Sequence, residues 1–106
     1  MAHEIKQHEL KCWPNYFDDV MTGGKPFEVR RDDRGFAVGD ILWLREWKPG
    51  GAGYTGRSVK KVIIYRFSSD DDVLADRPLF DGWCVLGLAP LPASFYDERV
   101  RAPGAP

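Results

Sequence analysis

Two apolar stretches separated by a glycine-dense segment constrain this fold most. "VGDILWLREW" (Val38 to Trp47) opens on Gly39-Asp40 and is substantially apolar on both faces through Trp43. "SVKKVIIYRF" (Ser58 to Phe67) is rich in β-branched residues, which fit a pleated, half-buried surface. Between them "KPGGAGYTGR" holds too many glycines for regular structure and must be a loop or hairpin tip. Two long strands of this kind have to be covered, and the other segments follow from that need.

"WCVLGLAPL" reads as a final buried strand, and "HEIKQHELKCW" as an extended segment with Leu10 and Cys12 on one side. "PFEVRR" alternates, with Phe27 and Val29 on one face and Glu28 and Arg30 on the other. The spacing predicts one helix, over "PNYFDDVMTGG". Pro14 lies in its first turn, Phe17, Val20 and Met21 form an apolar stripe, and Gly23-Gly24 ends it. "SSDDDVLADRPLFDG" reads as an exposed connection with one helical turn near Val73 to Ala75. About five to six strands with one early helix predict an α+β class, a small mixed β-barrel with the helix packed at the barrel mouth.

The 106 residues fit one domain, expected over residues 1–95 with 96–106 as a flexible tail. A net charge of -1 argues against a protein that coats nucleic acid by bulk charge, yet leaves room for a local basic groove. Cys12 and Cys84 stand outside any CxxC pair and each adjoins a tryptophan, which points to small buried thiols in a reducing compartment. His3 and His8 lack metal-type spacing, so no metal and no cofactor is expected. No apolar run approaches the roughly 18–20 residues that span a bilayer, and "MAHEIKQHEL" has no apolar core of a signal peptide. The expectation is a soluble cytoplasmic domain without membrane contact.

Three groups of residues carry candidate chemistry. Lys25, Glu28 and Arg30 place a carboxylate between two cations, with Arg31 adjoining them. Facing a cleft, such a group would hold an anion or tune a pKa; facing water, it would be the solvated side of a strand. The residues alone leave both readings open. Arg57, Lys60 and Lys61 fall in a stretch free of acids and interleaved with tyrosines, which suits a nucleic-acid backbone and equally suits a guarded strand edge. Arg45 and Trp47 alternate on one strand face beside the glycine loop that ends in Tyr54, a stacking surface for a ligand or a cover for the barrel end. "SSDDD" lacks the alternation of a calcium loop and reads as a solvated turn, and no Ser-His-Asp or Cys-His arrangement is present.

"GGKPFEVRRDDRGFAVGDILWLREW" resembles the ASCH superfamily, whose PUA-like β-barrels carry a Gly-x-Lys-x-x-Glu-x-Arg signature filled here by Gly23, Lys25, Glu28 and Arg30. The order of helix, glycine loop and closing strand over residues 3–90 is similar to a small branch found in bacteria and phages. The resemblance implies a PUA-like barrel with the signature facing a cleft between sheet and helix, and a partner that is RNA or a modified nucleotide. Lys25, Glu28, Arg30, Arg31, Arg45, Trp47 and Tyr54 would then bind the ligand, and Arg57, Lys60 and Lys61 would track phosphate. One enzymatic branch deacetylates an acetylated cytidine nucleoside with a Lys and a Thr three residues later. The Thr position is Glu28 here, so that nucleophile is absent and binding is expected before catalysis. A hydrolase using Lys25 and Glu28, a ribonuclease, and a phage-type protein-interaction domain are the alternatives.

Overall fold

A computed structural model describes residues 4–68, 71 and 81–91 of the chain. The chain order is β1 (Gln7–Cys12), α1 (Pro14–Thr22), β2 (Phe27–Arg31), β3 (Ile41–Lys48), β4 (Gly53–Ser68) and β5 (Trp83–Pro90). The strands form one curled, half-barrel sheet of five in the order β1-β3-β4-β5-β2. β1 runs parallel to β3, and every other pair is antiparallel. The long hairpin is therefore β3–β4, as the two apolar stretches require. The expected turn near Val73 to Ala75 and the C-terminal tail lie outside the described residues.

The glycine segment forms a tighter hairpin than its composition suggests. The turn occupies only residues 49–52, and Gly53 to Arg57 already belong to β4. Gly50, Gly51, Gly53 and Gly56 all take positive φ, which a residue with a Cβ adopts at a cost. Opposite Glu46 the register shifts, because Arg45 pairs with Ser58 while Trp47 pairs with Tyr54. The Glu46 carboxylate secures this bulge, accepting from Thr55 Oγ1 at 2.6 Å and lying 3.1 Å from Arg57 Nε.

Sequence alternation gives β2 two faces without saying which is inside. Phe27 and Val29 are each 42% exposed, whereas Glu28 is only 3% exposed. The charged face of β2 thus turns inward and its apolar face outward. Helix α1 starts at Pro14, where a missing N–H costs nothing, and ends at Gly23 with φ 90° and its N–H on the Val20 carbonyl. Phe17 and Val20 enter a core shared with Leu10, Leu42, Leu44, Ile63 and Leu86, so the helix fills the concave side of the sheet. Met21, expected in the same stripe, is exposed; it lies in the last turn, past the edge of the core. Cys12 and Cys84 are buried and free.

The half-barrel stays open between its edge strands, and arginine side chains span the gap. Arg30 Nη2 donates to the Lys11 carbonyl at 2.8 Å, and Arg34 Nη1 donates to the Glu9 carbonyl at 2.6 Å. These two guanidinium groups satisfy edge carbonyls of β1 that a neighbouring strand would otherwise take. A seam of charge replaces a ladder of backbone bonds.

Candidate functional site

The spacing of the Gly-x-Lys-x-x-Glu-x-Arg run becomes intelligible from local geometry. Gly23 ends α1 in the left-handed region, and the chain turns so that the Lys25 N–H donates to the Asp19 carbonyl at 2.9 Å. Pro26 then leads into β2, where residues two apart share a face and bring Glu28 and Arg30 inward together. Lys25 Nζ donates to Glu28 Oε2 at 3.0 Å, and Arg30 Nε donates to Glu28 Oε1 at 3.0 Å. One buried carboxylate thus holds a cation with each of its oxygens.

The cations themselves reach solvent, with side chains 24% and 26% exposed. They border a cleft of about 520 Å³ between the β1–α1 junction and β2, whose lining includes Lys11, Cys12, Trp13, Tyr16, Glu28 and Arg30. That volume is in the range of small-ligand sites, roughly 300–1,000 Å³. Trp13 and Tyr16 are each about half exposed on its wall, and Lys25 Nζ lies 5.0 Å from the Tyr16 ring centroid. A polar floor with two cationic donors and aromatic walls can bind a planar, acceptor-rich or anionic group. Cys12 is also on this wall, but burial first and the Glu28 carboxylate second push its thiol up to about 11. It stays protonated at neutral pH and is no activated nucleophile.

The other candidates fall in different places. Arg45, Trp47 and Tyr54 do assemble, on the outer face of the β3–β4 hairpin. The Arg45 guanidinium stacks 3.8 Å from the Tyr54 centroid and pairs with Glu9 Oε2 at 2.7 Å, and Lys11 lies 4.5 Å over Trp47. Tyr54 also reaches a cavity of about 410 Å³ along the seam, together with Glu9, Lys11, Arg30 and Arg34. Arg31 stacks 5.3 Å from Trp83 on the outer face of β2.

Arg57, Lys60 and Lys61 do not form one track. Arg57 pairs with Asp18 of the helix and with Glu46, and its guanidinium lies 4.7 Å from the Phe17 centroid. These two carboxylate contacts raise its already high pKa, and the residue ties α1 to the hairpin. Lys60 sits across from Trp43 on the outer face, 5.3 Å from its ring centroid, and burial lowers its pKa. Lys61 pairs with Leu42 and turns inward. Adjacent residues on a strand must face opposite ways, so the Lys60–Lys61 division was available in the sequence.

Three further residues matter that sequence reasoning passed over. Arg34, in the turn after β2, joins Arg30 in closing the seam. Glu46 anchors the hairpin bulge. Asp40 is fully buried and accepts from the Lys6 N–H at 3.1 Å, the Ala37 N–H at 3.1 Å and His8 Nε2 at 3.0 Å. The Gly39-Asp40 step that opens β3 is therefore a structural knot joining β1, the turn and β3. Among the described residues no group of three or more His, Cys, Asp or Glu could hold a metal ion, and no helix is long and apolar enough to cross a membrane.

Comparison with known proteins gives this arrangement a family. A family described as "Domain of unknown function (DUF3850)" matches residues 7–88, from the start of β1 to within β5, and the chain belongs to it. The chain is also 46% identical over 58 residues to a protein of Escherichia phage P2 named "Uncharacterized 12.9 kDa protein in GpA 3'region". The match covers 55% of this chain and 51% of the phage protein, so the chain spans about half the length of the curated relative it matches.

Proposed function

We propose that this DUF3850 domain is a PUA-like binding module of the ASCH type that takes RNA, or a modified base of RNA, in the cleft between the β1–α1 junction and β2. The observation that carries the reading is the buried Glu28 carboxylate holding Lys25 and Arg30 toward an open cleft with Trp13 and Tyr16 on its wall. Lys25 and Arg30 donate to base carbonyls or phosphate oxygens, and the exposed rings supply stacking faces for an unpaired base. Glu28 fixes the direction of both cations. The nucleic-acid backbone follows the seam, where Lys11, Arg30 and Arg34 line adjoining cavities; Arg57 instead ties the helix to the hairpin. Binding is favoured over hydrolysis because Cys12 is held as a thiol and Glu28 already accepts from a cation at each oxygen.

Fluorescence anisotropy with a panel of single-stranded and hairpin RNAs tests this directly. The expected result is binding that weakens steeply as salt rises, because cations on the protein displace counterions from phosphate. No binding to any RNA at low salt would overturn the proposal. Incubation with acetylated cytidine, followed by chromatography, is expected to show no turnover.

A further inference from the structure

Lys61 is 7% exposed on the inner face of β4, and its ammonium has no hydrogen bond or ion pair among the described residues. It borders a second cavity, of about 370 Å³, whose lining includes Gly23, Lys25, Pro26, Val59, Lys61 and Leu88. None of the described residues around this cavity is an Asp or a Glu. The nearby helix end does not supply the missing partner. The carbonyls of Asp18, Asp19 and Val20 already accept from Thr22 Oγ1, the Lys25 N–H and the Gly23 N–H. A buried ammonium without a partner gains most from an anion that enters the cavity beside it.

Lys25 connects this cavity to the signature cleft, because it lines both. Its own ammonium is engaged by Glu28. A ligand whose polar ring sits against Glu28 and Arg30, and whose anionic group reaches past Lys25, would meet Lys61 next. We infer that Lys61 forms an anion subsite that takes the phosphate of a nucleotide whose base occupies the Lys25–Glu28–Arg30 cleft. This inference rests on the cleft binding a nucleobase, as proposed above, and adds the phosphate and its contact.

Isothermal titration of the full chain with the common ribonucleosides, their 3′- and 5′-monophosphates and inorganic phosphate tests it. For a nucleoside that binds, the monophosphate is expected to bind about tenfold tighter, the size of one charge-assisted contact. That preference should vanish in Lys61→Met and survive in part in Lys61→Arg. A nucleoside that binds with no phosphate preference overturns the inference and leaves the cleft reading standing. A preference that persists undiminished in Lys61→Met also overturns it. Inorganic phosphate binding that is lost in Lys61→Met, with no nucleoside bound, supports the anion subsite and overturns the cleft reading. If Lys61→Met fails to fold, an absent preference in wild type still overturns the inference, and a preference equal to wild type in a folded Lys61→Gln does the same.

Discussion

Asp40 and Glu28 are both buried carboxylates at the start of strands, yet they do different work. Asp40 accepts from two backbone N–H groups and a buried histidine, all fixed by the fold. Glu28 is satisfied by two long cationic side chains whose ends border a cleft. A carboxylate closed by main-chain donors belongs to the scaffold. One closed by flexible cations leaves donor capacity on those cations, since an ammonium has three N–H groups and a guanidinium five. The partners' identity, more than burial itself, separates the knot from the site.

Substitutions that break this comparison should differ in size and in readout. The largest effect is expected for Asp40→Ala, which leaves two part-buried backbone donors and the buried His8 ring without this acceptor and lowers unfolding free energy by about 3 kcal/mol, measured by urea denaturation. Glu28→Gln should cost less, about 1–2 kcal/mol, because Lys25 and Arg30 can turn toward water, while RNA affinity falls sharply. Gly23→Ala forces a Cβ into positive φ with open space around it, so the cost is backbone strain alone, about 1 kcal/mol by the same method.

The smallest effect concerns Cys12, whose thiol reports on Glu28. Its folded pKa of about 11 lies above the ordinary thiol value of 9.0, so the native state holds the proton more tightly. The stability linked to it is complete below about pH 9 and is lost as pH rises toward 11. In Glu28→Gln a raising charge is removed while Lys25 and Arg30 remain, so the Cys12 thiol should ionise at lower pH. Alkylation by iodoacetamide at pH 9 is expected to be faster in Glu28→Gln than in wild type; an equal rate would place Cys12 outside the influence of the clamp.

Local features of the fold were legible in the sequence, and long-range ones were not. Pro14 and Gly23 mark the helix ends because their effects are confined to one turn. The strands follow from β-branched runs and alternation. Which face of β2 turns inward could not be read, because Phe27 and Val29 look like core residues and are exposed by the curl of the sheet. The Asp40 knot and the Arg34 contact with Glu9 depend on contacts between segments far apart in the chain, and the Glu46 clamp depends on the exact register of the hairpin. Arg57, Lys60 and Lys61 look like one basic patch in a linear reading, and strand alternation plus a two-sided hairpin disperses them. The Lys25–Glu28–Arg30 set was legible as a group because all three residues lie within one turn and one short strand.

The most direct test of the central claim is a salt titration of RNA affinity by fluorescence anisotropy for wild type and a Lys25→Ala/Arg30→Ala double variant, with folding checked by circular dichroism. The account predicts a loss of tenfold or more in affinity and a plot of log affinity against log salt flatter by about 1–2 in slope, as two phosphate or base contacts disappear. An affinity and slope equal to wild type in a folded double variant would contradict it.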